Sequence, residues 1–147
     1  MTEQTMRYLV VEALKEENSV FDRYDDSKDN TLVLYYEGDN LSEIGIYISF
    51  RTMDSGAYLV SMGCYDLPNF SKHYQAGIQA CNKLNDDEMM KYYIDSDGDA
   101  VTNMALMFNA YGVSNDFSPK QVISFAVMMA LSVDDAYPVL ERAKWAN

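Results

Sequence analysis

The chain has 147 residues, of which 48% are apolar, and its 23 acidic against 11 basic residues give a formal net charge of −12. This length corresponds to one domain, and the composition is that of a globular protein with a sizeable core. So acidic a surface repels nucleic-acid phosphates and anionic lipid, so neither a nucleic acid nor a membrane is an expected partner.

The first half of the chain predicts one helix followed by four strands. Apolar residues recur at i, i+3 and i+4 over residues 2–18, and Thr2 is placed to cap this helix. Short turns rich in Asp, Asn, Ser and Gly then separate four strand-like stretches, which favours an antiparallel meander. The predicted strands are 20–25, 31–37, 44–50 and 57–65.

The second half predicts a helix, two strands and a last helical region. Pro68 suits the first turn of the helix, and Ser118 and Pro119 suit the N-cap and first position of the last one. Pro138 is expected to kink or restart that helix. The predicted ranges are a helix to residue 85, strands 89–95 and 100–108, a turn zone at 111–117, and helix from 118 to near Trp145.

The element order α-β-β-β-β-α-β-β-α predicts the fold class. It indicates a single α+β domain over residues 1–147. Its antiparallel sheet carries helices packed mainly on one face.

Residues 92–103, YYIDSDGDAVTN, place three aspartates on alternate positions. Counted from Asp95 as an EF-hand loop, position 6 is Ala100 and position 12 is Leu106, where the loop requires glycine and glutamate. The flanks are strand-like, and the pair Asp97-Gly98 is favoured in hairpins. We therefore predict a hairpin without a metal, with weak calcium binding by the clustered acids as the alternative.

The cysteines and the histidine form no recognisable reactive site. Cys64 and Cys81 lie far apart in apolar surroundings, which predicts buried free thiols in a reducing compartment. His73 lies more than two helical turns from Cys81, about 12 Å, too far to pair on one straight helix. The sequence contains no glycine-rich nucleotide motif and no nucleophile elbow. We expect no enzyme activity, no catalytic residue, no metal and no cofactor.

The last helical region contains the longest apolar run, VISFAVMMAL at 122–131, which is too short to span a bilayer. Residues 1–10 lack the continuous apolar stretch of a signal peptide, so we expect a cytoplasmic protein. A stripe on this helix can be either core or the interface of a homodimer. The stripe consists of Val122, Phe125, Met129 and Val133.

The strand at 44–50 has one aliphatic face, Ile44 to Phe50 on even positions, and one face containing Tyr47. If the aliphatic face meets the helices, the opposite face is aromatic. Another helix can cover that face, or it can be a docking surface for another protein, a peptide segment or a second subunit. Alternation places five residues on this outer face: Val33, Tyr35, Tyr47, Leu59 and Tyr93.

Three stretches resemble the YbjN-like family of bacterial proteins. NKLN at 82–85, followed by MKYYID at 90–95 and DGDAV at 97–101, resembles the family's helix end, strand and acidic hairpin. DDAYPVL at 134–140 resembles its C-terminal helix, and the element order fits over residues 2–145.

The resemblance implies an α+β fold similar to that of type III secretion chaperones. Those are small acidic proteins, often dimers, that bind extended segments of client proteins. Family members are described mainly as candidate regulators or sensory-transduction proteins without an established catalytic activity, so no catalytic residue is implied here.

We therefore expect a non-enzymatic protein-binding module, chaperone-like or regulatory. The alternative is a sensor of a small molecule, or a weakly calcium-responsive domain, that uses the acids at 25–29 and 95–99.

Overall fold

The computed structural model confirms the predicted element order and the α+β class. Three helices and six strands are formed in the part of the chain that it describes. The described residues are 1–16, 19–28, 30–110 and 115–146. The elements are α1 (Glu3–Glu16), β1 (Arg23–Asp25), β2 (Thr31–Tyr36), β3 (Ile44–Thr52), β4 (Tyr58–Cys64), α2 (Tyr74–Asp87), β5 (Tyr92–Ile94), β6 (Ala100–Phe108) and α3 (Pro119–Trp145).

The six strands form one antiparallel sheet in the order β1-β2-β3-β4-β6-β5. The first four are the predicted meander. Helix α2 then carries the chain past the position of β6, and the β5–β6 hairpin returns β6 to the side of β4. The register places Val33 opposite Tyr47 and Tyr47 opposite Gly63. Because side chains alternate along a strand, this register fixes which residues share a face.

The helices pack on one face of the sheet, here called the inner face. Ile46, Ile48 and Met62 of the sheet lie in one buried core with Met6 of α1 and Met129 of α3. The aliphatic face of β3 therefore meets the helices, as predicted.

Two helix starts follow the predicted capping chemistry. The Thr2 hydroxyl accepts a hydrogen bond from the Thr5 amide at 3.1 Å. The Ser118 hydroxyl accepts one from the Gln121 amide at 3.2 Å, and Pro119 is the first helical residue. Each cap satisfies one of the amides that a helix start leaves without a partner.

The predicted restart of the helix at Pro138 is wrong, since α3 continues through this proline for 27 residues in all. A proline inside a helix removes the N–H that would bond the carbonyl four residues earlier. Here that carbonyl belongs to Asp134, and it accepts a hydrogen bond from Asn40 Nδ2 at 3.1 Å. A side chain from a distant turn thus replaces the missing backbone bond.

The long helix α3 is apolar enough to cross a membrane by length and composition, with a mean hydropathy of 1.4 over 18 residues. Half of that window is buried against the rest of the fold, as is typical of a core helix. Val122, Met129 and Val133 are fully buried within this one chain, and Phe125 packs against them from the edge of the core. The stripe is therefore core and not a free surface for a dimer.

The predicted start of α2 at Pro68 is also wrong, because α2 begins at Tyr74. The Pro68 carbonyl accepts a hydrogen bond from the Ala100 amide at 3.1 Å, and the Phe70 amide donates to the Gly98 carbonyl at 2.6 Å. The chain before α2 thus lies along the β5–β6 hairpin. These long-range bonds hold it out of the helix.

Two strands are about half as long as predicted. β1 covers only part of 20–25 and β5 only part of 89–95, because only residues that pair with a neighbouring strand join the sheet. Residues 17–18 of the predicted first helix, 111–114 of the predicted turn and residue 29 lie outside the described residues.

Candidate functional site

The outer face of the sheet, opposite the helices, carries all five residues that alternation predicted for it. Val33 is buried there but lies outside the main core, which is on the other face. Ser49, Arg51, Asn103 and Met107 of the same face are exposed. Within the described ranges no helix covers this face, so the covering-helix alternative is wrong for them.

Four tyrosines gather at one end of the outer face, and we call them the tyrosine patch. They are Tyr35 of β2, Tyr47 of β3, Tyr65 just after β4, and Tyr93 of β5. Leu59 lies at the opposite end of β4, beside Arg51 and Met107, and does not join the patch. Tyr65 was missed by the sequence analysis, although it continues the alternation of Leu59 along the predicted strand.

Two glycines lie beneath the rings. A Cβ added at Gly45 would lie 3.4 Å from Tyr47 Cε1 and 3.5 Å from Tyr35 Cε1, and one added at Gly63 would lie 2.5 Å from Tyr65 Oη. The missing side chains let the rings lean onto the sheet surface. The Tyr47 and Tyr65 ring centroids are 5.7 Å apart with planes at 57°, a tilted aromatic pair.

Two carboxylates lie at this end of the outer face, and only one of them is ion-paired. The Arg23 guanidinium carbon lies 3.7 Å from the centroid of the Tyr35 ring, and the same guanidinium forms an ion pair with Glu43. The Asp66 carboxylate lies 3.3 Å from the Cβ position at Gly45 and has no hydrogen bond or ion pair among the described residues. Asp66 is exposed, and its partial desolvation by neighbouring groups, followed by the charge of Glu43, raises the pKa of Asp66 above its usual value.

The tyrosines respond to the same surroundings. Burial, and then the nearby charges of Asp66 and Tyr35, raise the pKa of Tyr47. Burial and the neighbouring Tyr93 raise the pKa of Tyr65. The phenols of Tyr47 and Tyr65 are therefore neutral at physiological pH. They can act as hydrogen-bonding groups and as aromatic surfaces.

The acidic motif is a hairpin, as predicted. Gly98 has φ +86°, and Asp95 Oδ1 accepts hydrogen bonds from the amides of Asp97 and Asp99, both at 2.9 Å. Asn69 Nδ2 donates to Asp99 Oδ1 at 2.8 Å. Carboxylate oxygens of the three aspartates lie within 4.8 Å of one another. The flanking strands exclude an EF-hand, and the loop's own hydrogen bonds are sufficient to explain its shape.

The most distinctive residues of the family-like stretches support the fold. Asp134 is 6% exposed, and its carboxylate accepts hydrogen bonds from the backbone amides of Asp39, Asn40 and Leu41 at 3.0, 2.8 and 3.0 Å. Gly38 completes this contact, since a Cβ there would lie 2.3 Å from Asp134 Oδ1. We call Asp134 and the turn 38–41 the Asp134 corner.

Asn85, the last residue of NKLN, closes the free edge of β5. Its Oδ1 accepts a hydrogen bond from the Tyr92 amide at 2.7 Å, and its Nδ2 donates to the Tyr92 carbonyl at 3.0 Å. The side-chain amide therefore bonds this edge much as a neighbouring strand would. The Tyr92 hydroxyl in turn lies 2.7 Å from the buried Ser132 hydroxyl.

The two cysteines are buried free thiols, as predicted. Burial raises the pKa of Cys64 to about 12 and that of Cys81 to about 11. Neither is an available thiolate at neutral pH. His73 is exposed at the start of α2.

These observations define an acidic α+β protein whose helices pack on one face of an antiparallel sheet and leave a tyrosine-rich face open. No protein-family model matches the chain, and no curated protein matches its sequence. Among solved structures, the fold is similar to that of YbjN, described as "a putative transcription regulator from E. coli". The superposition covers 97% of this chain and 91% of that one, with a TM-score of 0.54 and 13% identity. The YbjN-like fold predicted from the sequence is thereby confirmed.

Proposed function

We propose that this protein is a non-enzymatic binding module, chaperone-like or regulatory, that holds an extended segment of another protein on the tyrosine patch. The observation that carries the proposal is the open outer face, on which four tyrosines converge while the helices pack on the other face. Tyr65 and Tyr93 are 48% and 45% exposed, so both rings are available to a partner. Aromatic residues are enriched where proteins meet, because each ring offers apolar area and a polar tip.

The geometry favours binding across the face over strand addition at an edge. Strand addition requires a free row of backbone amides and carbonyls. On the β5 edge, the Asn85 side chain already bonds the backbone amide and carbonyl of Tyr92. At the other edge, β1 has only three residues. An extended segment that crosses the tyrosine patch meets neither restriction.

The similarity to YbjN supports a regulatory role at a coarse level, since that protein is described as "a putative transcription regulator". A net charge of −12 opposes direct contact with DNA, because binding to DNA relies on cationic groups that neutralise phosphates. We therefore propose that any regulation acts through a bound protein segment.

Selection of random displayed peptides against the wild-type protein tests this function. We expect selected peptides to bind wild type and to lose at least about tenfold in affinity on Tyr47→Asp and Tyr35→Asp, since a charge would replace an aromatic contact. Tyr74→Asp is the matched control, because Tyr74 is 51% exposed on α2, away from the sheet. Melting temperatures show whether each variant is folded. If all three variants were folded and bound the selected peptides with the affinity of the wild-type protein, the proposal would be contradicted.

One observation favours a second candidate function, a weakly calcium-responsive domain. It is the proximity of the carboxylates of Asp95, Asp97 and Asp99, within 4.8 Å of one another. A ligand that binds only the native state raises its melting temperature by mass action. A shift at millimolar calcium that Asp97→Asn abolishes would support this function, and no shift would remove it.

A further inference from the structure

We propose that the tyrosine patch recognises an arginine side chain of the bound segment, stacked on the Tyr47–Tyr65 pair and ion-paired with Asp66. This inference rests on the proposed function, because it names the side chain by which the segment is held.

One half of the patch already contains this arrangement within the chain itself. The Arg23 guanidinium lies over the Tyr35 ring at 3.7 Å from its centroid and pairs with the Glu43 carboxylate. A cation over an aromatic face is attracted by the ring's electrons, and a carboxylate beside it adds a charge-assisted hydrogen bond. Ring, guanidinium and carboxylate form one complete unit.

The other half has the ring and the carboxylate but no cation. Tyr47 and Tyr65 form the aromatic pair, 5.7 Å between centroids. Asp66 lies beside the same glycine, Gly45, that the Tyr47 ring approaches, and the Asp66 carboxylate has no partner in the described part of the chain. After burial, the charge of Asp66 is the next cause that raises the pKa of Tyr47, which agrees with the proximity of the two groups. This second unit presents its rings and its carboxylate to solvent, where a cation from a partner can reach both.

Charge and shape select an arginine from the available side chains. The protein carries a net charge of −12, so a cationic segment is attracted to it from a distance. A guanidinium is planar, stacks on aromatic rings and bonds a carboxylate through two N–H groups, whereas a lysine ammonium is a compact and strongly hydrated point charge. Gly45 and Gly63 let the Tyr47 and Tyr65 rings lean onto the sheet, so the rings themselves form the surface on which a flat group can stack.

The test uses three blocked peptides that differ in one side chain: acetyl-Gly-Arg-Gly-amide, its lysine homologue and its citrulline homologue. Citrulline has the shape of arginine without the charge. Titration into the ¹⁵N-labelled wild-type protein should shift the amide signals of residues 45–47 and 63–66. We expect the arginine peptide to bind most tightly, the lysine peptide more weakly, and the citrulline peptide at least about tenfold more weakly than arginine.

Two variants and two matched controls locate the effect. Asp66→Asn and Tyr65→Leu should each weaken the arginine peptide at least about fivefold, because each removes one half of the site. Asp54→Asn, in the turn after β3, and Tyr74→Leu, on α2, remove the same groups from exposed positions elsewhere and should leave the affinity unchanged.

Equal binding of the arginine and citrulline peptides to the wild-type protein would overturn the inference without depending on any variant. So would an unchanged affinity in a folded Asp66→Asn. Shifts of the same amide signals with protein concentration alone would show that a second copy occupies the patch and would also overturn it. Selected peptides that need Tyr47 but show no preference for arginine would overturn this inference and leave the proposed function standing.

Discussion

The Asp134 corner and the surroundings of the tyrosine patch each contain a carboxylate, and the two differ in how they are satisfied, because Asp134 is buried and Asp66 is exposed. Asp134 is buried and accepts three backbone hydrogen bonds from the turn 38–41. Asp66 lies beside Tyr47 with no partner among the described residues. A buried carboxylate that the chain itself satisfies stabilises the fold, whereas one that lacks a partner remains available to a ligand. The comparison separates residues that hold the structure from residues that can bind.

The largest effect is expected at the Asp134 corner. Asp134→Ala leaves three amides of the turn without an acceptor in a buried place, which should lower the free energy of unfolding by about 3 kcal/mol. Urea denaturation measures it. Asp135→Ala is the control, because Asp135 is exposed on the same helix and its loss should change stability by less than about 0.5 kcal/mol. Similar losses in the two variants would show that the three bonds do not stabilise the fold.

The next effect is expected at Asn85, where two hydrogen bonds close the edge of β5. Asn85→Ala should lower the free energy of unfolding by about 2 kcal/mol, because both backbone groups of Tyr92 lose their partner. Asn82, the first residue of the same NKLN stretch, is exposed and provides the control. Should Asn82→Ala be as destabilising as Asn85→Ala, the edge would not depend on the Asn85 side chain.

A smaller effect on stability, with a clear effect on binding, is expected at Gly63. A Cβ there would lie 2.5 Å from Tyr65 Oη and 3.1 Å from the Thr102 carbonyl. Gly63→Ala should therefore turn the half-exposed Tyr65 ring away from Tyr47 and reduce peptide binding several-fold, at a cost of about 1 kcal/mol in stability. Ser61→Ala, on the same face of β4, should change neither quantity. Full binding by Gly63→Ala would mean that the Tyr47–Tyr65 pair is not needed.

The smallest effect is a pH dependence with a defined sign. Partial desolvation and Glu43 raise the pKa of folded Asp66 above its usual value, so the folded state binds this proton more tightly than the unfolded state. The resulting stabilisation is present below the unfolded pKa and is lost as the pH rises through the folded pKa. Relative to Asp66→Asn, the wild-type protein should gain stability as the pH falls from 7 towards 4. If the free energy of unfolding of Asp66→Asn instead rose relative to that of the wild-type protein as the pH falls, this assignment would be contradicted.

Local patterns predicted the elements that are fixed by nearby residues. The strand at 100–108 has the predicted bounds, and Thr2 and Ser118 cap their helices, because alternation and capping act within a few positions. The errors at Pro68 and Pro138 have a common physical cause. The preference of Pro68 for a helix start and the tendency of Pro138 to end a helix are both overridden by hydrogen bonds to a part of the chain far away in sequence. The partner is the β5–β6 hairpin for Pro68 and Asn40 for Pro138.

The candidate site was predictable in its aromatic part and not in its charged part. Alternation placed Tyr35, Tyr47 and Tyr93 on one face, because the period of a strand is local. Asp66 and the pair Arg23–Glu43 carry no local signal. They come together only when β1, β3 and the end of β4 are joined in one sheet. The sequence therefore indicated an aromatic surface, whereas the proposed preference for an arginine rests on charged groups that only the fold brings together.

The most direct test of the account compares Tyr47→Asp with Asn85→Ala in one experiment that measures both the free energy of unfolding and the affinity for a selected peptide. The account predicts opposite results. Tyr47→Asp should remain folded and lose binding, and folded Asn85→Ala should lose more stability and retain binding. If each variant lost both stability and peptide binding, the open face and the hydrogen-bonded edge at Asn85 would not have separate roles. The assignment of binding to the tyrosine patch would then be wrong.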